Sequence, residues 1–132
     1  MAKYIYPAVF TEEKSGGYSV DFPDLEGCFT TGDDLADALS MAEDVLATTL
    51  VYYENQNREI PKPSAIQKVK TSGKEFVNLI TCDTVRYRRL LNKSAVKKTL
   101  SIPGWMDEAA TAAGINFSQT LQDALKEKLR LA

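Results

Sequence analysis

Histidine is absent from the 132 residues. That excludes Ser/His/Asp and Cys/His catalysis as ordinarily built, because both use imidazole as the base near neutral pH. Cysteine is scarce, with only Cys28 and Cys82 in the chain. Two thiols without imidazole cannot supply four zinc ligands, and they are too few for a disulfide framework. They read as small core residues of a reduced, cytoplasmic protein. No apolar run approaches the ~18 residues of a membrane helix. The N-terminus has an early Lys3 and no apolar stretch of the required length, so nothing there resembles a signal peptide. Gly16-Gly17 is a turn signal and not part of a phosphate-cradling GxGxxG. These absences leave no cofactor motif and no zinc site; a metal-dependent carboxylate enzyme is the one catalytic class still to weigh, and no cofactor and no metal ligand is assigned.

What is present is globular: 44% hydrophobic and 26% charged, enough for one ordinary domain or two small ones. The net charge of −2 conceals a division. Residues 1–63 hold 4 Lys/Arg against 12 Asp/Glu, a balance of −8, and residues 64–132 hold 12 against 6, a balance of +6. Halves of opposite sign suggest two partners of opposite charge. The basic bias is densest from Thr84 to Met106, where Arg86, Arg88, Arg89, Lys93, Lys97 and Lys98 occur with no acid among them.

Alternation and turn residues predict an antiparallel meander of three strands: Lys3 to Phe10, Tyr18 to Phe22 and Cys28 to Thr31. Leu35, Leu39, Ala42, Leu46 and Leu50 then recur at helical spacing. Asp34 reads as the N-cap of that helix, which runs to about Asn55 and is stopped by "IPKPS". "EFVNLITC", Glu75 to Cys82, is a further strand, and Asp83 caps a short basic helix from Thr84 to Leu91. The order is β-β-β-α-β over residues 1–82, with a basic helix and linker over 83–95.

From Val96 the pattern changes. "VKKTLSIPGW" is a short alternating strand with no partner nearby in sequence. A helix follows from Pro103, with Met106, Ala109, Ala110 and Ala113 on one face and Gly114 as its C-cap signal. A second helix opens at Asn116, where Gln119 completes an Asn variant of the capping box. Phe117, Leu121, Leu125 and Leu129 form its apolar stripe. One strand and two short helices are too few to bury a core, and a lone strand leaves its backbone unpaired. Both problems vanish if two chains pair their strands antiparallel. Leu100 and Ile102, with Phe117, Leu121 and Leu125, then form a shared dimer core. Lys97, Thr99 and Ser101 line the opposite face, doubled by symmetry, as a ribbon fit for the DNA major groove. The start of the second helix, at Asn116, Phe117, Ser118 and Gln119, suits phosphate and would fix register without reading bases.

These features resemble the ribbon-helix-helix repressors over Val96 to Leu129: alternating strand, Pro103, alanine-rich helix, Gly114-Ile115 and the "NFSQTLQDAL" helix start. Lys98 departs from that pattern because it falls on the core-facing register, where an apolar residue is usual. The N-terminal half, "GGYSVDFPDLEGCFTTGDDLADALSMAEDVL" followed by "IPKPS", is similar to the HicB family of antitoxins, with Phe22 to Cys28 as the most specific piece. The resemblance implies an α+β protein. Residues 1–82 would be a partial RNase H-like domain that binds toxin, and residues 96–132 a ribbon-helix-helix for dimerisation and operator DNA. It also implies a HicA-like ribonuclease toxin that cleaves mRNA as the partner, and repression of the protein's own operon. Two dimers can be joined into a tetramer by contacts between N-terminal domains.

Each reading has a plainer alternative. In the acidic half, Asp21, Phe22, Asp24, Glu26 and Asp33 are candidate toxin contacts, whereas the bland reading is a solvated surface. RNase H-like folds use clustered carboxylates to hold divalent ions. Asp21 and Asp24 suggest such a site, but the full acidic set is not evident, so no catalytic residue is assigned. Arg86, Arg88 and Arg89 fit phosphate binding and a solvated helix face equally well. Trp105 reads as dimer core, while Tyr52 and Tyr53 are undecided between core and partner contact. The rival functions are a repressor whose N-terminal domain senses a small ligand, and a metal-dependent nuclease.

Overall fold

A computed structural model describes residues 3–131. The chain divides into two compact units, Met1–Ser94 and Ala95–Ala132. The first contains β1 (Lys3–Glu12), β2 (Tyr18–Asp21), β3 (Phe29–Gly32), α1 (Leu35–Asn55), a 3-10 turn (Ile66–Lys68), β4 (Glu75–Asp83) and α2 (Thr84–Leu91). The second contains α3 (Gly104–Ala112) and α4 (Phe117–Lys128).

The four strands form one antiparallel sheet in the order β3-β2-β1-β4. Alternation decides what the sheet buries. Tyr6, Ala8 and Phe10 of β1, Val20 of β2 and Ile80 of β4 share one face and meet the stripe Ala38, Ala42, Leu46 and Leu50 of α1. The β2–β3 loop closes this core with Phe22, Leu25 and Cys28. Pro7 lies beyond the reach of β2, whose pairing with β1 begins at Val9, so its missing N–H costs no ladder bond on that side.

Caps set the helix limits. Asp34 accepts from the Asp37 N–H at 2.8 Å, and Asp37 in turn accepts from the Asp33 N–H at 2.8 Å. The far end of α1 is set by Asn57 rather than by "IPKPS". Asn57 adopts φ 52°, and the Arg58 N–H returns to the Tyr53 carbonyl at 3.0 Å. This is a Schellman closure with asparagine in the left-handed position. Asp83 caps α2 through the Val85 and Arg86 amides. α2 packs on α1 and therefore belongs to the first unit, which extends past the expected limit at residue 82.

In the second unit Pro103 stands just before α3 as its N-cap, and Gly104 is the first helical residue. Gly114, at φ +70°, ends the helix with the Ile115 N–H on the Ala110 carbonyl. The expected strand from Val96 to Ile102 is not formed in the single chain: residues 92–103 carry no regular element. The reason is physical, since a strand exists only through a ladder, and this segment has no paired strand among the described residues.

Candidate functional site

The second unit has no core of its own. No residue of α3 or α4 is buried. Leu100 is 64% exposed and Trp105 70%; Ile102, Phe117 and Leu125 are exposed too, and Leu121 is half-buried. Lys97, Thr99 and Ser101 are all exposed, as is Lys98. At the start of α4, Asn116 caps the helix by accepting from the Gln119 N–H at 3.0 Å. The capping box is half formed, because the Gln119 side-chain amide donates to Asp123 at 2.9 Å. Gln119 is therefore engaged twice within the chain. Of the four residues expected to meet phosphate, Phe117 and Ser118 keep their backbone N–H groups unengaged at the helix start.

The acidic candidates of the first unit separate into different roles. Phe22 is 1% exposed and supports the surface from within, because its ring fills the core beside Leu25. Asp24 is committed to the chain: it accepts from the Ser64 N–H at 2.9 Å and the Ser64 hydroxyl at 2.5 Å, pinning the loop after α1 to the β2–β3 turn. Tyr6 reinforces that loop by donating to the Pro61 carbonyl. Asp21, Glu26 and Asp33 remain exposed carboxylates. Glu26 overlooks an open cleft of about 430 Å³ formed with Thr48, Thr49, Tyr52, Tyr53 and Arg58. Tyr53 is core and Tyr52 is outside, 53% exposed. Among the described residues, no group of three Cys, Asp or Glu side chains is placed to hold a metal ion, and no helix is long and apolar enough to cross a membrane.

Sequence reading missed one polar cluster. Glu54, near the end of α1, accepts from the Tyr4 hydroxyl at 2.8 Å, the Thr84 hydroxyl at 2.9 Å and the Arg88 guanidinium at 3.0 Å. Tyr87 adds a hydrogen bond to Thr48 at 2.7 Å. Arg88, left open between phosphate binding and a solvated face, is thus engaged in fastening α2 to α1. The signal was weak, since the contacts join residues 30 to 50 positions apart. Burial alone would raise the Glu54 carboxyl, but the hydrogen bonds from Tyr4, Arg88 and Thr84 outweigh it and hold it below the ordinary 4.5. Burial, then the bond to Glu54, pushes Tyr4 up to about 12, so it remains a donor across the physiological range. Burial also raises both thiols, Cys82 to about 11, so neither is a nucleophile near neutral pH.

A folded-state value below the unfolded one means that Glu54 stabilises the unit above pH ~4.3, and that this contribution is lost as pH falls through the folded value. Glu54→Gln should lower stability by about 2 kcal/mol at pH 7, a figure kept modest because Arg88 is 41% exposed and its charge is screened. The gap between wild type and variant should narrow as pH falls below ~4.3. Urea denaturation at pH 7 and at pH 3 checks this, and a gap that does not change with pH would refute it.

The division of charge does not follow the two units: residues 1–94 hold 11 Lys/Arg against 14 Asp/Glu and residues 95–132 hold 5 against 4, so what sets the second unit apart is its exposed apolar stripe. An α+β unit joined to a two-helix unit that lacks a core is the layout of a two-part binding protein. The profile of the "HicB_like antitoxin of bacterial toxin-antitoxin system" matches residues 6–125, and the chain belongs to that family. Among curated relatives, it is 39% identical over 74 residues to Antitoxin HicB 2 of Photorhabdus laumondii, covering 56% of this chain and 48% of that one. It is 38% identical over 61 residues to Antitoxin HicB of Escherichia coli K12, covering 46% and 44%. The chain thus spans about half the length of the curated relatives it matches. Among solved structures, it resembles a chain of a toxin-antitoxin complex from Streptococcus pneumoniae at 31% identity and TM-score 0.62, covering 96% of this chain and 99% of that one. It shares its fold with a chain of the HicA3 and HicB3 toxin-antitoxin complex at 23% identity and TM-score 0.51, covering 61% and 99%.

Proposed function

We propose that this protein is a non-catalytic antitoxin that covers a HicA-like, mRNA-cleaving ribonuclease toxin with its first unit and represses its own operon with its second. The reading takes the first unit as a partial RNase H-like domain and the second as a ribbon-helix-helix. The observation that carries it is the incompleteness of the second unit, beside an acidic stretch over residues 1–63 of the first. Residues 1–63 are strongly acidic, as suits a basic partner. The second unit exposes Leu100, Ile102, Phe117 and Leu125, which only a covering surface can bury. A second copy supplies that surface and gives Val96–Ile102 its ladder partner. Lys97, Thr99 and Ser101 then line a two-stranded ribbon for base edges, with the Phe117 and Ser118 amides toward phosphate.

Neutralisation is steric and electrostatic, with no bond made or broken. Asp21, Glu26 and Asp33 are the exposed carboxylates that would steer the toxin. Changing all three to amides should slow association about tenfold at low salt, while binding to operator DNA stays unchanged. Surface plasmon resonance with the purified toxin checks the rate. An unaltered association rate would place the toxin on another surface.

A further inference from the structure

A helix that faces water ordinarily carries charged and polar side chains there. On α1 the outward positions, at steps of three and four, are Asp37, Met41, Asp44, Thr48, Tyr52 and Asn55, and all six are exposed. Tyr52 is 53% exposed and Met41 39%. The stripe holds no lysine, arginine or glutamate. It therefore offers two large apolar side chains with few rotamer-rich neighbours to immobilise, which lowers the entropy cost of covering it. Tyrosine and methionine are also enriched at protein interfaces, where lysine and glutamate are depleted.

The surroundings of the stripe can receive a partner. From Asp37 to Asn55 it spans about 27 Å at ~1.5 Å per residue, close to the width of a standard patch of ~800 Å². On one side lies the cleft of about 430 Å³ in which Tyr52 meets Glu26 and Arg58. On the other is an open cleft of about 830 Å³ between α1 and α2, lined by Ser40, Glu43 and Asp44 of α1 and by Tyr87 and Leu90 of α2. The Tyr52 ring is set by an edge contact with Tyr53, centroids 6.3 Å apart, and the Arg58 guanidinium lies 4.4 Å over the Tyr53 ring. Tyr52 is thus an oriented anchor on a buried support.

Charge selects the occupant. The 21 residues of α1 carry Asp37, Glu43, Asp44 and Glu54 and no lysine or arginine. Glu54 is engaged by Tyr4, Thr84 and Arg88, while Asp37, Glu43 and Asp44 are exposed. Three surface carboxylates on one helix favour a basic partner. They disfavour nucleic acid, and they disfavour a second copy, whose own α1 would bring like charge. We propose that the basic toxin seats on the exposed stripe of α1, with Tyr52 and Met41 as its anchors. The inference rests on the toxin reading above and adds where on the first unit contact is made. Asp21, Glu26 and Asp33 then govern approach, and the α1 anchors govern residence.

The test uses the full chain and the HicA-like protein that co-purifies with it, and measures dissociation by surface plasmon resonance. Tyr52→Ala and Met41→Ala together should speed dissociation at least about thirtyfold and leave the association rate within about twofold. Met41→Lys is the second variant, since it sets a cation against a basic partner at an exposed position, and it should act alike. Tyr52→Phe should dissociate as the wild type does, because the ring makes the contact. Phe29→Ala, which removes a ring 65% exposed on β3, should leave the rate unchanged. Unchanged operator binding shows the variants to be folded. Wild-type dissociation in both α1 variants, or faster dissociation in Phe29→Ala alone, overturns the placement and leaves the toxin reading standing. If no HicA-like protein co-purifies, the toxin reading falls and the placement falls with it.

Discussion

Gly32→Ala should destabilise the first unit by about 3 kcal/mol, the upper range for overpacking, and lower its melting temperature by roughly 12–24 °C. A Cβ at Gly32 would lie 2.3 Å from the Ala38 nitrogen and 2.4 Å from its Cα. Both are backbone atoms of α1, so no side chain can turn aside. Relief requires moving the start of α1, and Ala38 begins the buried stripe continuing through Ala42, Leu46 and Leu50. The displacement would therefore open the whole interface between helix and sheet. Gly27→Ala is the contrast. Gly27 has φ +73°, and a methyl group there would find nothing within 4 Å. It should cost only the ~1 kcal/mol of a left-handed alanine. Calorimetry on both variants decides the matter, and equal losses would show that close packing against α1 is not the cause.

Replacing Lys97 and Thr99 together with alanine should abolish specific operator binding. In a symmetric ribbon the double substitution removes four side chains from the groove. At about 1 kcal/mol each, the low end for base contacts, the loss is about 4 kcal/mol, or roughly a thousandfold in affinity. Nonspecific binding should fall far less, since Lys93 and Lys98 remain. Gln119→Ala should change little by comparison, because its amide is already held by Asp123. Fluorescence anisotropy with the duplex upstream of the protein's own gene, against a scrambled duplex at the same salt, measures the ratio. A retained preference in the double variant would exclude the strand as reader. Toxin capture should persist, because both residues lie outside Met1–Ser94.

The errors of the sequence reading share a cause. Phe22 stands among the candidate contacts between Asp21 and Asp24, yet alternation sets it on the same face as Val20, and its ring lies in the core with that residue. Gln119 stands where a capping-box partner should, but Asp123 one turn on competes for its amide. Arg88 belongs to a run of basic residues, and nothing local shows that Glu54, on another helix, takes its charge.

Every strand and helix of the first unit was legible in the chain to within a few residues, because each rests on local physics. Alternation specifies β1 to β4, four-residue spacing specifies α1, and carboxylates cap α1 and α2 at Asp34 and Asp83. The charge division and the apolar stripe of α4 were legible too, since they depend only on composition and spacing. Which acids stay free depends instead on the folded chain, since Asp24 meets Ser64 only after a return across 40 residues. The intolerance of Gly32 to a methyl and the open edge of β4 likewise follow from strand order, which no local pattern encodes. The strand at Val96–Ile102 lies beyond both, since its hydrogen-bonding partner belongs to another chain in the proposed dimer.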